Sequence, residues 1–341
     1  MTQVNAWLEI RLLDPPMLLF AINESQPFGE LMARHLGVEL SPLEERGFDD
    51  GEHKIRPLIS VRGKDVYVLH SLHGGPVESP NDKLCKLLFL ISALRDNGAA
   101  RVTALVPYLA YSRKDRQTKT RDPVTSQYVA RLFEAAGADC VVTLDVHNIV
   151  AFQNAFRCRT IHLDTRRLFA AELSNLLSTG PIAVISPDPG GVKRSQLFRE
   201  MLQKVLLRPV GQAFVEKRRS AGVISGDMLV GDVRQATVIV VDDLIASGGT
   251  MARAARAALE HGASQVIACA AHGLFTGEVK ATLAAASLQH IVVTDTVSPF
   301  RLDAKFAATA IKTVSAAPLF ADCTRCLHGG SAISQLLGDE D

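Results

Sequence analysis

Residues 238–260 read VIVVDDLIASGGTMARAARAALE. A four-residue run of Val and Ile is made for burial, yet it ends in two adjacent carboxylates, Asp242 and Asp243. Unpaired carboxylates at the edge of a core are costly unless something binds them. Ser247, Gly248, Gly249 and Thr250 follow and open a helix whose Met, Ala and Leu recur at three- and four-residue steps. Their small size leaves backbone N–H groups open at the helix start, where the dipole favours an anion. The acids cannot want that anion but suit hydroxyls or a metal-bound sugar. A ligand with phosphate at one end and vicinal hydroxyls at the other fits both halves. A solvated helix cap would explain the Ser and Gly but not the two acids.

Outward from this stretch, short apolar runs alternate with segments of helical period. DVYVLHSL, RVTALVPYL, DCVVTLDVH, IAVISPD, ATVIVVDD, SQVIACAAHG and HIVVTDTV predict strands. NDKLCKLLFLISALRDNGAA, PVTSQYVARLFEAAGAD, VKRSQLFREMLQKV and GGTMARAARAALEHGAS predict helices between them. Such alternation predicts an α/β fold with parallel sheets covered by helices on both faces. Strand VYVLHS, helix and strand RVTALVPYLAY are matched by strand VIVVDD, helix and strand QVIACAAHGLF, and both helices end in a Gly-Ala turn. This predicts a duplicated unit in which the second copy keeps the acidic, Gly-rich loop.

With 341 residues, two domains of about 150 residues are expected. A net charge of +1 gives no global electrostatic case for nucleic acid or a membrane surface. No apolar run reaches the roughly 18 residues of a membrane span, and the first residues carry acids and prolines rather than a secretory signal, so a cytoplasmic protein is expected. Cys323 and Cys326 form a C-x-x-C without a second pair, in a segment of helical period, and read as structural.

Three further segments carry chemistry. VPYLAYSRKDRQTKTRDPVTSQ (106–127) places Arg113, Lys114, Arg116, Lys119 and Arg121 after a strand end, a seat for polyphosphate, beside Tyr108 and Tyr111. FDDGEHKIRPLISVRGKDVYVLHS (48–71) offers one aromatic face and several acceptors for an exocyclic amine, in what composition alone makes a loop. LDVHN and ISPDPGGVKR end apolar runs in His147 and Asp188, and a phosphate-bound divalent cation is commonly held by one or two protein groups.

The loop VIVVDDLIASGGTM resembles the phosphoribosyl diphosphate loop of type I phosphoribosyltransferases. Taken in order with DGE, YSRKD, DVH, PDPGG, VEKRRS, GDV, TDTV and the tail SAAPLFADCTRCLHGGSAISQLL, it resembles the ribose-phosphate pyrophosphokinase family over about residues 17–337. The resemblance implies two duplicated phosphoribosyltransferase-like domains at 1–165, with 1–14 as an extension, and 166–322, and a segment 323–341 packing back on the first. It implies transfer of the diphosphoryl group of ATP to the 1-hydroxyl of ribose 5-phosphate, with AMP released. Asp242, Asp243, Ala246, Ser247, Gly248, Gly249 and Thr250 would bind the sugar phosphate. Phe48, Asp50 and Glu52 would contact adenine from a neighbouring copy in a homo-oligomer, with Arg113, Lys114 and His147 completing the ATP site. His147 and Asp188 would ligate Mg2+, and Lys217 and Arg219 would be catalytic, on a mobile loop rich in small residues.

Five positions depart from the family pattern. Ala246 stands where an acid is usual, Lys114 replaces a usual Gln and Thr118 stands where some members have Asp, while Asn148 and Ile149 follow His147 in place of small or polar residues. Nucleotide preference and regulation by phosphate or ADP stay open. Two alternatives compete: a phosphoribosyltransferase, which has no use for DGE, YSRKD, Lys217 or Arg219, and a non-catalytic subunit associated with a synthetase, which Ala246 alone favours.

Overall fold

The computed structural model describes residues 17–177, 179–220 and 223–337, for 217–220 and 223–227 the backbone alone. The chain begins with β1 (Met17–Ala21), α1 (Gln26–Leu36), β2 (Leu43–Gly47), β3 (His53–Pro57), β4 (Asp65–Leu69), α2 (Pro80–Asp96) and β5 (Arg101–Val106). It continues through α3 (Thr125–Ala136), β6 (Cys140–Leu144), α4 (Ile149–Ala155), β7 (Arg159–Leu163), α5 (Arg166–Ser174), β8 (Ile182–Ser186) and α6 (Val192–Leu206). Then come β9 (Gly211–Ser220), β10 (Val223–Val230), β11 (Thr237–Ile245), α7 (Gly249–Glu260), β12 (Gln265–Gly273), α8 (Val279–Ala284) and β13 (His290–Thr294). The last elements are α9 (Ala304–Ala310), β14 (Ile311–Val314), α10 (Ala317–His328) and α11 (Ser334–Leu337). Among the described residues no helix is long and apolar enough to cross a membrane.

Two compact units emerge, one up to Leu163 joined by the residues from Ala317 onward, the other Asp164–Ala316. The sequence reading cut at 165/166 and 322/323; the structure cuts earlier at both places. Its second cut falls at the start of α10, an unbroken helix whose Phe320 packs edge-on against Phe28 of α1, ring centroids 5.6 Å apart. Splitting such a helix would expose its buried face.

In the first unit β1-β4-β5-β6-β7 form a parallel sheet, and β2 and β3 a separate antiparallel hairpin. In the second the order is β10-β9-β8-β11-β12-β13-β14, parallel throughout except for β10 against β9. Strand by strand and helix by helix, β1 to β7 and β8 to β14 follow the same sequence of elements, each with a hairpin between its first helix and its second core strand. The duplicated α/β architecture predicted from the sequence is thus present, each unit a mostly parallel sheet flanked by helices.

The VIVV run is explained by its two faces. Val238 and Val240 join the core beneath α7, with Met251, Ala254 and Ala258, while Ile239 and Val241 join the opposite core of Phe169, Phe198 and Leu202. Alternate side chains of a strand point to opposite faces, so a parallel strand covered on both must be apolar throughout. The seven predicted strands are present as β4, β5, β6, β8, β11, β12 and β13. Corrections fall on the two segments read as loops. Residues 53–57 of the segment 48–71 pair with 43–47 as the hairpin β2–β3, and residues 219–228, read as a loop of small residues, fall in the long pair β9–β10, 221 and 222 lying outside the described residues. The first has a half-exposed, charged pattern, LEERG against HKIRP, and the second gains its order by β9 extending the sheet alongside β8.

Candidate active site

Sheet register sets where the acids stand. Pairing of β11 with β8 stops at Val240 opposite Ile185, while pairing with β12 runs on to Ile245 opposite Gly273. Asp242 and Asp243 therefore lie beyond the carboxyl end of β8, on the side where the neighbouring strand has turned away. Ligands of open α/β sheets bind at such edges. Asp243 is buried and its backbone N–H donates to Asp242 Oδ1 at 2.9 Å. Arg194, in the first turn of α6, places Nη1 3.4 Å from Asp242 Oδ1 and 3.4 Å from Asp243 Oδ1. Burial, then the neighbouring Asp243, raises the Asp242 carboxyl to about 8, against the lowering pull of Arg194. One guanidinium thus faces two carboxylates, and the pair keeps a strong appetite for hydroxyl donors or a cation. Arg194 was not among the residues singled out from the sequence, although its place just after PDPGGV at a helix start was the available signal.

Beyond the acids the chain turns through Ala246 and Ser247 into α7. Ile245 and Ala246 carbonyls accept the N–H groups of Phe275 and Thr276 at 3.0 and 2.9 Å, which fixes the turn against the segment after β12. Gly248 is the cap of α7, with φ of +78°, and a Cβ there would come within 3.0 Å of Leu283 on α8. Both the left-handed backbone and the packing exclude a side chain. No side chain caps the helix and no acid lies in its first turn, so the N–H groups at Gly249, Thr250 and beyond face the exposed Ser247 side of the cleft. That is the geometry of an oxyanion cradle.

Asp188 follows β8 as the cap of a short turn of helix, its Oδ1 accepting N–H bonds from Gly190 at 2.9 Å and Gly191 at 3.1 Å. Those two bonds fix the orientation of its carboxylate. Lys217 and Arg219 stand on β9, and their side chains lie outside the described residues.

In the first unit the expected nucleotide residues sit on two features. Phe48, Asp50 and Glu52 form the tip of the β2–β3 hairpin, closed by Phe48 N–H to Glu52 O at 2.8 Å and Gly51 N–H to Phe48 O at 3.0 Å. Phe48 is 43% exposed, with the Arg46 guanidinium 5.1 Å from its ring centre. The segment after β5 exposes Arg113, Arg116, Lys119 and Arg121, whereas Lys114 turns inward to Asp122 at 2.6 Å. His147 is exposed beyond the end of β6. Among the described residues no three His, Cys, Asp or Glu side chains cluster around a common point. A hard divalent cation would then rest on one or two protein groups and on phosphate oxygens, which exposed His147 and an oriented Asp188 each fit.

Two family models match the chain: the N-terminal domain of ribose phosphate pyrophosphokinase over residues 17–137, and the phosphoribosyl synthetase-associated domain over 224–338. A ribose-phosphate pyrophosphokinase of Caldanaerobacter subterraneus subsp. tengcongensis is 37% identical over 319 residues, 93% of this chain and 96% of that one. One from Hyphomonas neptunium is 35% identical over 94% of this chain and 99% of its own. The crystal structure of phosphoribosylpyrophosphate synthetase from Mycobacterium smegmatis superposes with a TM-score of 0.82 at 30% identity, covering 92% of this chain and 99% of that one. The strand-end acids, the glycine cradle and the duplicated sheets thus come with likeness along nearly the whole chain, and the protein belongs to the ribose-phosphate pyrophosphokinase family.

Proposed function

We propose that the chain forms 5-phosphoribosyl 1-diphosphate and AMP from ribose 5-phosphate and ATP. The observation that carries this is the junction of Asp242 and Asp243 with an acid-free helix start at Gly249, two complementary grips on one phosphorylated pentose. Asp242 and Asp243 take the ribose hydroxyls; Ser247, Gly248, Gly249 and Thr250, with the turn at Ala246, hold the 5-phosphate. Such a fixed sugar presents its 1-hydroxyl for in-line attack on the β-phosphorus of ATP, with AMP leaving. Diphosphoryl transfer needs little covalent help and much charge neutralisation. Arg113, Lys217 and Arg219 supply that charge from the protein. His147 and Asp188 are each a candidate ligand for Mg2+, which would add positive charge on the phosphate oxygens when bound. The tip of the β2–β3 hairpin, with Phe48, Asp50 and Glu52 exposed, suits an adenine site completed between copies of the chain.

Product analysis by mass tests this directly, with ribose 5-phosphate, Mg2+ and each nucleoside triphosphate in turn. Equimolar AMP and phosphoribosyl diphosphate are expected with ATP. Binding of the pentose without turnover on any triphosphate would instead point to a non-catalytic associated subunit. Consumption of phosphoribosyl diphosphate with a free base would point to a phosphoribosyltransferase.

A further inference from the structure

The five cations between Arg113 and Arg121 are not equivalent. Asp122 Oδ2 accepts from Lys114 Nζ at 2.6 Å, Thr118 Oγ1 at 2.7 Å, Thr118 N–H at 3.1 Å and Lys119 N–H at 3.0 Å. Gln117 Nε2 donates to the Asp122 carbonyl at 3.0 Å, and Lys114 Nζ also reaches Thr118 Oγ1 at 3.3 Å. One carboxylate is therefore the hub of the loop, and it draws three of its four donors from the two positions, 114 and 118, that depart from the family pattern. A second carboxylate ties the loop at its start: Asp115 Oδ2 accepts from Asn148 Nδ2 at 2.7 Å, while Asn148 Oδ1 caps α4 through the Ala151 N–H at 3.2 Å. Asn148 is itself a departure. Arg113, Arg116, Lys119 and Arg121 stay exposed.

We propose that Asp122 is a positioning residue for nucleotide binding: by clasping Lys114 and Thr118 it fixes the 111–126 loop, so that Arg113 meets the triphosphate and Lys114 acts only through the loop's shape. This rests on the reading of that loop as part of the ATP site. Lysine in place of the usual Gln adds a charge beside Arg113, and left free it would compete for the same phosphates. Asp122 removes that competition locally, and the ion pair with three further donors replaces whatever restraint the usual side chains give. Charge-assisted hydrogen bonds to one acceptor are strong enough to hold a short loop when several act together.

Steady-state kinetics on Asp122→Asn tests the clasp. The KM for ATP should rise on the order of fivefold, the scale of partly exposed charged hydrogen bonds. The KM for ribose 5-phosphate should stay within about twofold, since the residues proposed to hold the pentose lie on β11 and α7 and not on this loop. Asp122→Glu should recover most of the loss, and Thr118→Val, which removes one donor only, should show a smaller rise in the same direction. A lower KM for ATP in Asp122→Asn would overturn the proposal, because it would mean that released Lys114 grips the phosphates directly. An unchanged KM would also overturn it. Arg113→Ala separates the two levels: if it too leaves ATP binding unchanged, the reading of the loop as a nucleotide site fails, whereas a raised KM there with none in Asp122→Asn sinks the clasp alone.

Discussion

Asp242 is a residue whose placement opposes the stability of the unliganded fold. Its carboxyl is raised to about 8 because burial and Asp243 both penalise the charge. At this site the folded state therefore holds more protons than the unfolded chain between about pH 4, the ordinary carboxylate value, and pH 8, so the site's contribution to stability falls as pH rises through that window. The slope approaches about 1.4 kcal/mol per pH unit if one full proton is involved, and the two acids titrate as a pair. Thermal melts of the ligand-free protein from pH 5 to pH 8 should show a declining Tm, and Asp242→Asn should flatten the decline. An equal slope in both proteins would mean that the carboxylate pair carries no strain. Lys217 belongs to the same scale. If it neutralises the diphosphoryl group in flight, Lys217→Ala should lower kcat by about a hundredfold or more while changing either KM only a few-fold; matched losses in kcat and binding would count against that role.

Among the elements, the two units use corresponding loops in opposite ways. In the second unit Asp188 follows β8 and the acids and glycine-rich turn end β11; the corresponding strands of the first unit are β1 and β4. There the Glu24 carboxylate lies directly against Gly75, and its Oε2 sits 2.5 Å from Nζ of the fully buried Lys83. Ser25 Oγ, 3.1 Å from His70 Nδ1, also accepts the Ser71 N–H at 3.0 Å and closes the same edge. At the strand ends that correspond to the proposed sugar-phosphate site, the first unit instead places its own carboxylate and ammonium. Glu24→Ala leaves the Lys83 charge buried without its partner and should cost about 3–5 kcal/mol in chemical denaturation. The double variant Glu24→Ala, Lys83→Met should regain most of that loss, because an apolar side chain of similar length restores packing without a charge. A single variant as stable as the wild type would remove the ion pair's structural role.

At the scale of the molecule, the second unit is continuous in sequence and has apolar cores on both faces of its sheet, whereas the first is completed by residues after Ala316. His328 Nδ1 reaches Asp65 Oδ2 at 2.8 Å and the Leu327 carbonyl accepts from Arg101 Nη2 at 3.0 Å, so the C-terminal helix is bonded into the first sheet. The fragment 164–316 should accordingly melt as one cooperative unit and bind ribose 5-phosphate while showing no affinity for ATP; calorimetry on the isolated fragment checks both. A fragment without a cooperative transition would show that its core depends on the rest of the chain.

Much of this was legible before any coordinates. Continuous apolar runs announced seven strands, and the turn chemistry of DDLIASGGT announced the cleft, because period, capping and backbone freedom are written within a few consecutive residues. The hairpins were not legible: β2 and β3 are charged and half-exposed, and β9 is ordered by a neighbour 28 residues earlier, Ala183 against Gly211. Arg194 beside Asp242 and Asp243, Lys83 under Glu24 and Lys114 turned to Asp122 were equally hidden, as was the start of the returning C-terminal segment at Ala317. By itself the sequence determined the α/β class, the duplication and the place of the strand-end acids before a glycine-opened helix. Only the tertiary structure decided which charges meet, since an ion pair between distant residues is a property of how the sheets bring strand ends together and leaves no periodic or local trace.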